Sequence, residues 1–338
     1  MKISTLPFSL KFKRPFTLAH GVRTGTELAF VKIEQDGVVA YGEASLPPYR
    51  EETLSSVEKW VDSKHDEVVE ILNSSPFERR DEIPFSEEHT AASNALQTAM
   101  INWHVKHKGE RLSDHFSPKD NDPYLSLTFT KDDIPILDEK LKLAQHFTHL
   151  KLKLTGDQDD FDFVEAVMKQ SEQPICVDFN QAFRDREKAI ASISELEKLS
   201  CTLIEQPLHE KDHEGHYWIK QRTAVPIIAD ESICTYADLK ENHEAYSGVN
   251  IKLVKCGGIF QAEKLLGFDA GGNYMKLVGC MSESTLGVST AALIAHQGQI
   301  ADLDAPYLNS NDPFTGFEIK NKKIHLGELC VSPLSPLR

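Results

Sequence analysis

The sequence predicts an α/β protein, a (β/α)7β modified TIM barrel with an N-terminal α+β capping domain. Three observations predict it. Eight short apolar or β-branched runs begin 24 to 27 residues apart between Tyr124 and Gln299. Each is separated from the next by a polar-amphipathic stretch long enough for one helix. The residues before Tyr124 follow a different rhythm. Strand plus helix at a fixed period marks βαβ repetition, and eight strands with seven intervening helices fit a closed barrel better than an open sheet.

The elements follow in order. Residues 2–12 alternate enough for a strand. Glu27–Gln35 and Val38–Gly42 are two more, joined at Asp36-Gly37, a dipeptide suited to a tight hairpin turn. Helices are expected over Glu51–Leu72 and Glu87–His107, the second placing Leu96, Met100 and Trp103 on one face. This meander plus helices is an α+β unit, assigned to residues 1–120. The barrel takes 121–308, with strands beginning near Tyr124 (YLSLTF), His149 (HLKLKL), Pro174 (PICVDF), Cys201 (CTLIEQ), Val225 (VPIIAD), Val249 (VNIKLV), Tyr274 (YMKLVG) and Gln299 (QIADLD). Among the helices between them, Asp160–Gln170 carries Phe163, Val164 and Val167 at helical spacing. Residues 309–338 have no repeat left to serve and are expected to cross back to the cap.

Composition narrows the function. The 338 residues are 40% hydrophobic and 26% charged, a globular profile. Lys and Arg number 37 against 52 Asp and Glu, a formal net charge of -15. So acidic a chain repels phosphate backbones and anionic lipid, and neither nucleic acid nor membrane is an expected partner. Lys2, Lys11 and Lys13 interrupt any signal-peptide core, and the uncharged run Leu286–Ala295 is too short to cross a bilayer. The six cysteines lie 22 or more residues apart with no zinc spacing, which reads as buried thiols in a reducing cytoplasm. No glycine-rich phosphate loop follows any strand.

In such barrels chemistry sits at the carboxyl ends of the strands. Strand two ends in Lys151-Leu152-Lys153, strand three in Asp178, strand four in Glu205 and strand five in Asp230. Strand six ends in Lys252 and Lys255, and strand eight in Asp302-Leu303-Asp304. A strand-end Asp is by itself commonly a turn former or a helix cap. Three acids on consecutive strands are different: converging in one mouth they repel unless a cation sits between them, and all-oxygen ligands favour Mg2+ over zinc. Lys151 and Lys153 share one strand face, and the leucines beside them belong on the helix-covered exterior, so the lysines face inward. A like charge and a nearby metal ion would depress their pKa and leave a neutral amine able to take a proton. Lys255, on strand six, stands across the barrel from strand two.

These pieces resemble the enolase superfamily in its muconate-lactonizing-enzyme subgroup. The resemblance rests on Lys151-Leu152-Lys153, Val177-Asp178-Phe179-Asn180, Ile204-Glu205-Gln206-Pro207, Ala229-Asp230-Glu231-Ser232 and Ile251-Lys252 through Lys255-Cys256-Gly257-Gly258, and covers nearly the whole chain. It implies that Asp178, Glu205 and Asp230 bind one Mg2+ per active site, with Asn180 and Glu231 beside them. It implies Lys153 and Lys255 as the acid/base pair, Lys151 at the substrate, and Mg2+ stabilising an enediolate. Ala301-Asp302-Leu303-Asp304 is similar to the DxD element with which dipeptide epimerases receive the substrate ammonium group. The alternative for these two acids is an acidic turn before Pro306. Cys280-Met281-Ser282 resembles the segment bordering the substrate carboxylate.

One departure bears on specificity. Relatives acting on Ala-Glu place an Arg in the cap loop to meet the glutamate side chain. Here that position falls at Gly21, with Arg23 two residues on, where a shifted register could restore it. The departure predicts a small or apolar C-terminal residue. The resulting expectation is a Mg2+-dependent epimerase inverting the α-carbon of the C-terminal residue of an Ala-containing dipeptide. Cap loops near His20–Thr24 and Leu46–Thr53 would close over it. Three other subgroup enzymes share the acids and lysines: o-succinylbenzoate synthase, N-acylamino acid racemase and cycloisomerase. They remain rivals, as does a catalytically inactive binding barrel. A homo-oligomer is left open.

Overall fold

The computed structural model describes residues 1–18, 21–116 and 122–332. Three antiparallel strands come first: β1 (Lys2–Leu18), β2 (Gly21–Gln35) and β3 (Val38–Leu46). Asp36 and Gly37 join β2 to β3 with φ of 53° and 76°, the two positive angles of a type I′ turn. The first strand outruns its expected end at residue 12. A register irregularity between Lys11 and Phe16 lets it bend and continue towards the barrel mouth.

The helix expected over Glu51–Leu72 is two helices, α1 (Leu54–Ser63) and α2 (His65–Leu72), with Lys64 out of helical geometry between them. Thr53 and Ser56 form a reciprocal capping box that starts α1 at residue 54 instead of 51. Helix α3 (Thr90–Lys108) ends at left-handed Gly109. Its first-turn N–H groups of Ala91 and Ala92 are taken by the Glu52 carboxylate (2.7 and 3.0 Å). Leu96, Met100 and Trp103 are buried as expected. The helix lies so close on β3 that a Cβ at Gly42 would stand 1.9 Å from the Ala95 carbonyl oxygen.

Eight parallel strands then close a barrel: β4 (Tyr124–Phe129), β5 (His149–Lys153), β6 (Ile175–Asp178), β7 (Ile204–Glu205), β8 (Ile227–Ala229), β9 (Gly248–Lys252), β10 (Met275–Gly279) and β11 (Ile300–Asp302). Leu150 and Leu152 face the surrounding helices and are fully buried there. Inside the barrel Cys176, Leu203, Ile228, Leu277 and Ile300 make an apolar plug. Above the plug lies a polar layer from alternate strands, Lys151, Glu205, Asn250 and Asp302, the layering expected of a filled barrel.

A final hairpin, β12 (Phe314–Lys320) and β13 (Lys323–Val331), lies against the cap sheet. The Phe314 ring meets Phe30 at 5.4 Å and Tyr41 at 5.8 Å, and Ser310 N donates to Lys11 O (2.9 Å). The expected boundary between residues 120 and 121 lies outside the described residues, as does His20. Among the described residues no helix is long and apolar enough to cross a membrane.

Candidate active site

Asp178 and Glu205 are the last residues of β6 and β7, and Asp230 directly follows β8. Parallel pairing carries the three acids to one rim. One oxygen from each lies within 4.8 Å of the others, and all three residues are buried. Buried carboxylates this close need compensation. Asp178 has it: burial would raise its pKa, but Lys153 and Lys151 pull it down to about 2. Asp230 is likewise held low against burial by Lys252 and Lys255. Glu205 accepts from Lys151 Nζ (2.7 Å) and Asn250 Nδ2 (3.0 Å), yet burial and Asp178 push it up to about 7. Beside them, burial and the charges of Asp230 and Asp178 push Glu231 up to about 8.

Glu205 and Glu231 are therefore the acids left short of positive charge. Asn180 Nδ2 donates to Glu231 Oε1 (3.4 Å), leaving Asn180 Oδ1 and Glu231 Oε2 buried without a hydrogen-bond partner. An all-oxygen donor set with surplus negative charge fits a hard divalent cation held by Asp178, Glu205 and Asp230.

Four lysines surround the acids, in unlike situations. Lys151 Nζ donates to Asp302 Oδ2 (2.6 Å) and Glu205 Oε2 (2.7 Å) and lies 3.2 Å from Asp178 Oδ2. Burial alone would lower its pKa, but Asp302, Glu205 and Asp178 outweigh it and hold it well above the usual lysine range. Lys252 is held high in the same way, Asp230 and Glu205 outweighing its burial. Lys153, at the end of β5, reaches Asp178 Oδ2 at 2.5 Å and faces the cavity.

Lys255 departs from the role expected of it. It stands within a helical turn, Leu253–Cys256, rather than on the strand. Its Nζ has four acceptors, the carbonyls of Asp230, Ile233 (3.4 Å) and Asn250 (3.0 Å) and Asp230 Oδ1 (2.5 Å). An ammonium has three N–H groups, so none is left for a substrate. The strand-end position opposite Lys153 belongs to Lys252, whose Nζ has one acceptor among the described residues, Asp230 Oδ2 (2.6 Å), and which, like Lys255, lines the cavity. Both lysines sit in the recognisable Lys252–Lys255 run.

The other wall carries Asp302, Asp304, Cys280, Met281 and Ser282, all lining the same cavity. Asp302 Oδ1 accepts from Ser126 Oγ (2.8 Å), and Asp304 Oδ2 from Thr128 N (2.6 Å). Burial and the neighbouring Asp302 push Asp304 up to about 6, a carboxyl still lacking a cation. Two cap residues tie this wall in place. Glu43 accepts Ser284 N (2.8 Å) and the Ser284 hydroxyl, and Ser45 Oγ donates to Ser282 O (2.8 Å).

Arg23 enters the cavity from the cap. Its guanidinium lies 5.5 Å from the Phe12 ring centre and 5.6 Å from that of Tyr49, and donates to Ser282 Oγ (3.4 Å) and Gly25 O (3.2 Å). Its Nε is buried without a partner, and among the described residues no carboxylate pairs with it. Asn250, Tyr49 and Glu43 were not singled out from sequence, because nothing in spacing marks a side chain that meets the site through tertiary contact; Lys252 was noted as a strand end but given no role.

With this geometry the family comparison is decisive. The model of the enolase C-terminal domain-like family matches residues 137–324. The chain belongs to that family. It is 34% identical, over 97% of its length and 86% of the relative's, to an L-Ala-D/L-Glu epimerase of Bacteroides thetaiotaomicron. An L-Ala-D/L-amino acid epimerase of Flavobacterium johnsoniae is 27% identical, covering 97% of this chain and 98% of that one. The fold superposes with a TM-score of 0.82 on a dipeptide epimerase of Enterococcus faecalis complexed with Mg and L-Leu-L-Tyr, at 27% identity, covering 99% and 98% of the two chains.

Proposed function

We propose that this chain is a Mg2+-dependent dipeptide epimerase that inverts the α-carbon of the C-terminal residue of an Ala-containing dipeptide. The observation that carries the reading is a juxtaposition: three buried carboxylates converge between lysines that end two opposite barrel strands. Mg2+ held by Asp178, Glu205 and Asp230 would lower the cost of the negative charge that builds on the substrate carboxylate as the α-proton leaves. Lys153 and Lys252 are the acid/base pair. One takes the α-proton as a neutral amine, and the other, an ammonium, returns a proton to the opposite face. Composition is unchanged and configuration inverts. Lys255 grips Asp230 from behind. Lys151 holds Glu205 and Asp302 together.

Asp304, with Asp302, receives the substrate's α-ammonium group, the cation its surroundings lack. Arg23 sets the side-chain preference. A guanidinium between two aromatic rings and without a carboxylate partner suits an acidic C-terminal residue, so Ala-Glu is the favoured substrate class. This reverses the apolar preference inferred from Gly21. In the cap hairpin Arg23 pairs with Phe16, and both line the cavity.

The test is incubation with L-Ala-L-Glu and Mg2+ in D2O, followed by proton NMR. Loss of the glutamyl α-proton signal, with appearance of the second diastereomer, is expected, and a chelator should abolish both. Absence of exchange in metal-loaded protein across Ala-X dipeptides would sink the reading.

A further inference from the structure

Gln206 directly follows Glu205 and is fully buried. Its φ is 40°, in the left-handed region that a side chain disfavours, and such a conformation persists only where its surroundings hold it. The surroundings are the neighbouring strand ends. Gln206 N donates to Ile228 O (2.9 Å) on β8, and Gln206 O accepts from Gln181 N (2.8 Å), just beyond β6. The side chain makes a third connection. Its Oε1 accepts from Asp230 N (2.8 Å) and Ser232 N (3.2 Å), while its Nε2 donates to Ser232 Oγ (2.6 Å) and Leu208 O (3.2 Å).

One residue thus touches the ends of all three strands that carry the acids, and holds Asp230 by its own backbone nitrogen. Behind it, His216 Nε2 accepts from Leu208 N (3.3 Å) and Nδ1 lies 2.7 Å from Asp212 O, so the carbonyl that Gln206 Nε2 reaches sits in a pinned turn. A hard divalent cation tolerates little error in ligand distance. A group that fixes one ligand's backbone relative to the other two therefore acts on cation affinity.

We propose that Gln206 is a positioning residue for the cation site, setting Asp230 against Glu205 and Asp178 without itself touching ion or substrate. The inference rests on the cation reading above. Hydrogen-bond partners behind metal ligands typically govern about 10–100-fold in metal affinity.

The experiment is Mn2+ titration of the metal-free protein, read by electron paramagnetic resonance, for wild type, Gln206→Met and Ser232→Ala. Thermal melting of the metal-free samples accompanies it. Gln206→Met keeps the volume and removes the acceptor of the Asp230 and Ser232 N–H groups, and is expected to weaken Mn2+ binding about 10–100-fold in the folded protein. Ser232→Ala leaves Oε1 in place and is expected to bind Mn2+ within about twofold of wild type. If Gln206→Met lowers the melting temperature but binds Mn2+ as wild type does, Gln206 is merely structural and the proposal is overturned. If wild type itself binds no Mn2+, the cation reading falls, and this inference with it. Gln206→Ala, read the same way, replaces the Met variant should that one not fold.

Discussion

Lys153 and Lys252 end two strands that lie four places apart in an eight-strand ring, so their ammonium groups approach the acids from opposite walls. Lys153→Ala and Lys252→Ala should each abolish epimerisation. Each should still exchange the α-proton of one stereoisomer, and of opposite ones. The loss expected for a removed base is of order 100- to 10,000-fold. Normal inversion by the Lys252 variant would refute the pairing.

Lys255 separates from Lys252 by a different measurement. Replacing it with Met leaves Asp230 with Lys252 as its remaining lysine partner and takes a donor from the Ile233 and Asn250 carbonyls, a change that typically costs about 1–3 kcal/mol. Urea unfolding should show a loss of that order. The folded fraction at low temperature should still exchange both stereoisomers, which a catalytic lysine variant cannot do.

The contrast between these two residues shows what was legible in the sequence. The eight barrel strands and the acids at their ends were, because a fixed period and strand-end position are properties of the chain itself. Which of two lysines three residues apart keeps N–H groups for a substrate was not, because the turn Leu253–Cys256 folds back and surrounds Lys255 with carbonyls. The start of α1 at residue 54 and the extension of β1 past residue 12 were hidden for a similar reason: a capping box and a bulge act through local geometry that alternation does not reveal.

Arg23 should govern substrate preference. Arg23→Met is expected to raise KM for L-Ala-L-Glu about 10–100-fold, since a hydrogen bond to a charged partner contributes roughly 1.5–3 kcal/mol. Turnover of a dipeptide with an apolar C-terminal residue should change little. Steady-state kinetics on both substrates decides the matter, and an equal loss on the two would remove Arg23 from recognition.

Cation binding should stabilise the fold. At about 100 times the dissociation constant, Mg2+ should add roughly 2.7 kcal/mol. The melting temperature should therefore rise by several degrees on adding Mg2+ to chelator-treated protein. Asp178→Asn should largely lose this response while remaining folded. A melting curve indifferent to Mg2+ would contradict the site.

Glu43 gives the cap–barrel junction a pH dependence. Burial first, then Glu283, push its carboxyl from 4.5 to about 8. Between those values the folded protein holds a proton on Glu43 that the unfolded chain has released, so the contribution of this group is fully present below about 4.5 and is lost as pH rises towards 8. Glu43→Gln should flatten this decline. Melting temperatures of the two proteins between pH 5 and 8.5 test it, and parallel curves would exclude Glu43 as the source.

Arg23, Phe12 and Tyr49 belong to the cap, whereas the acids and lysines belong to the barrel. Choice of substrate and bond-breaking are thus written in separate stretches of chain that meet only across a cleft. A hairpin exchange between relatives should retune which dipeptide is accepted while the proton-transfer machinery stays untouched, giving such proteins a short mutational path to new diets.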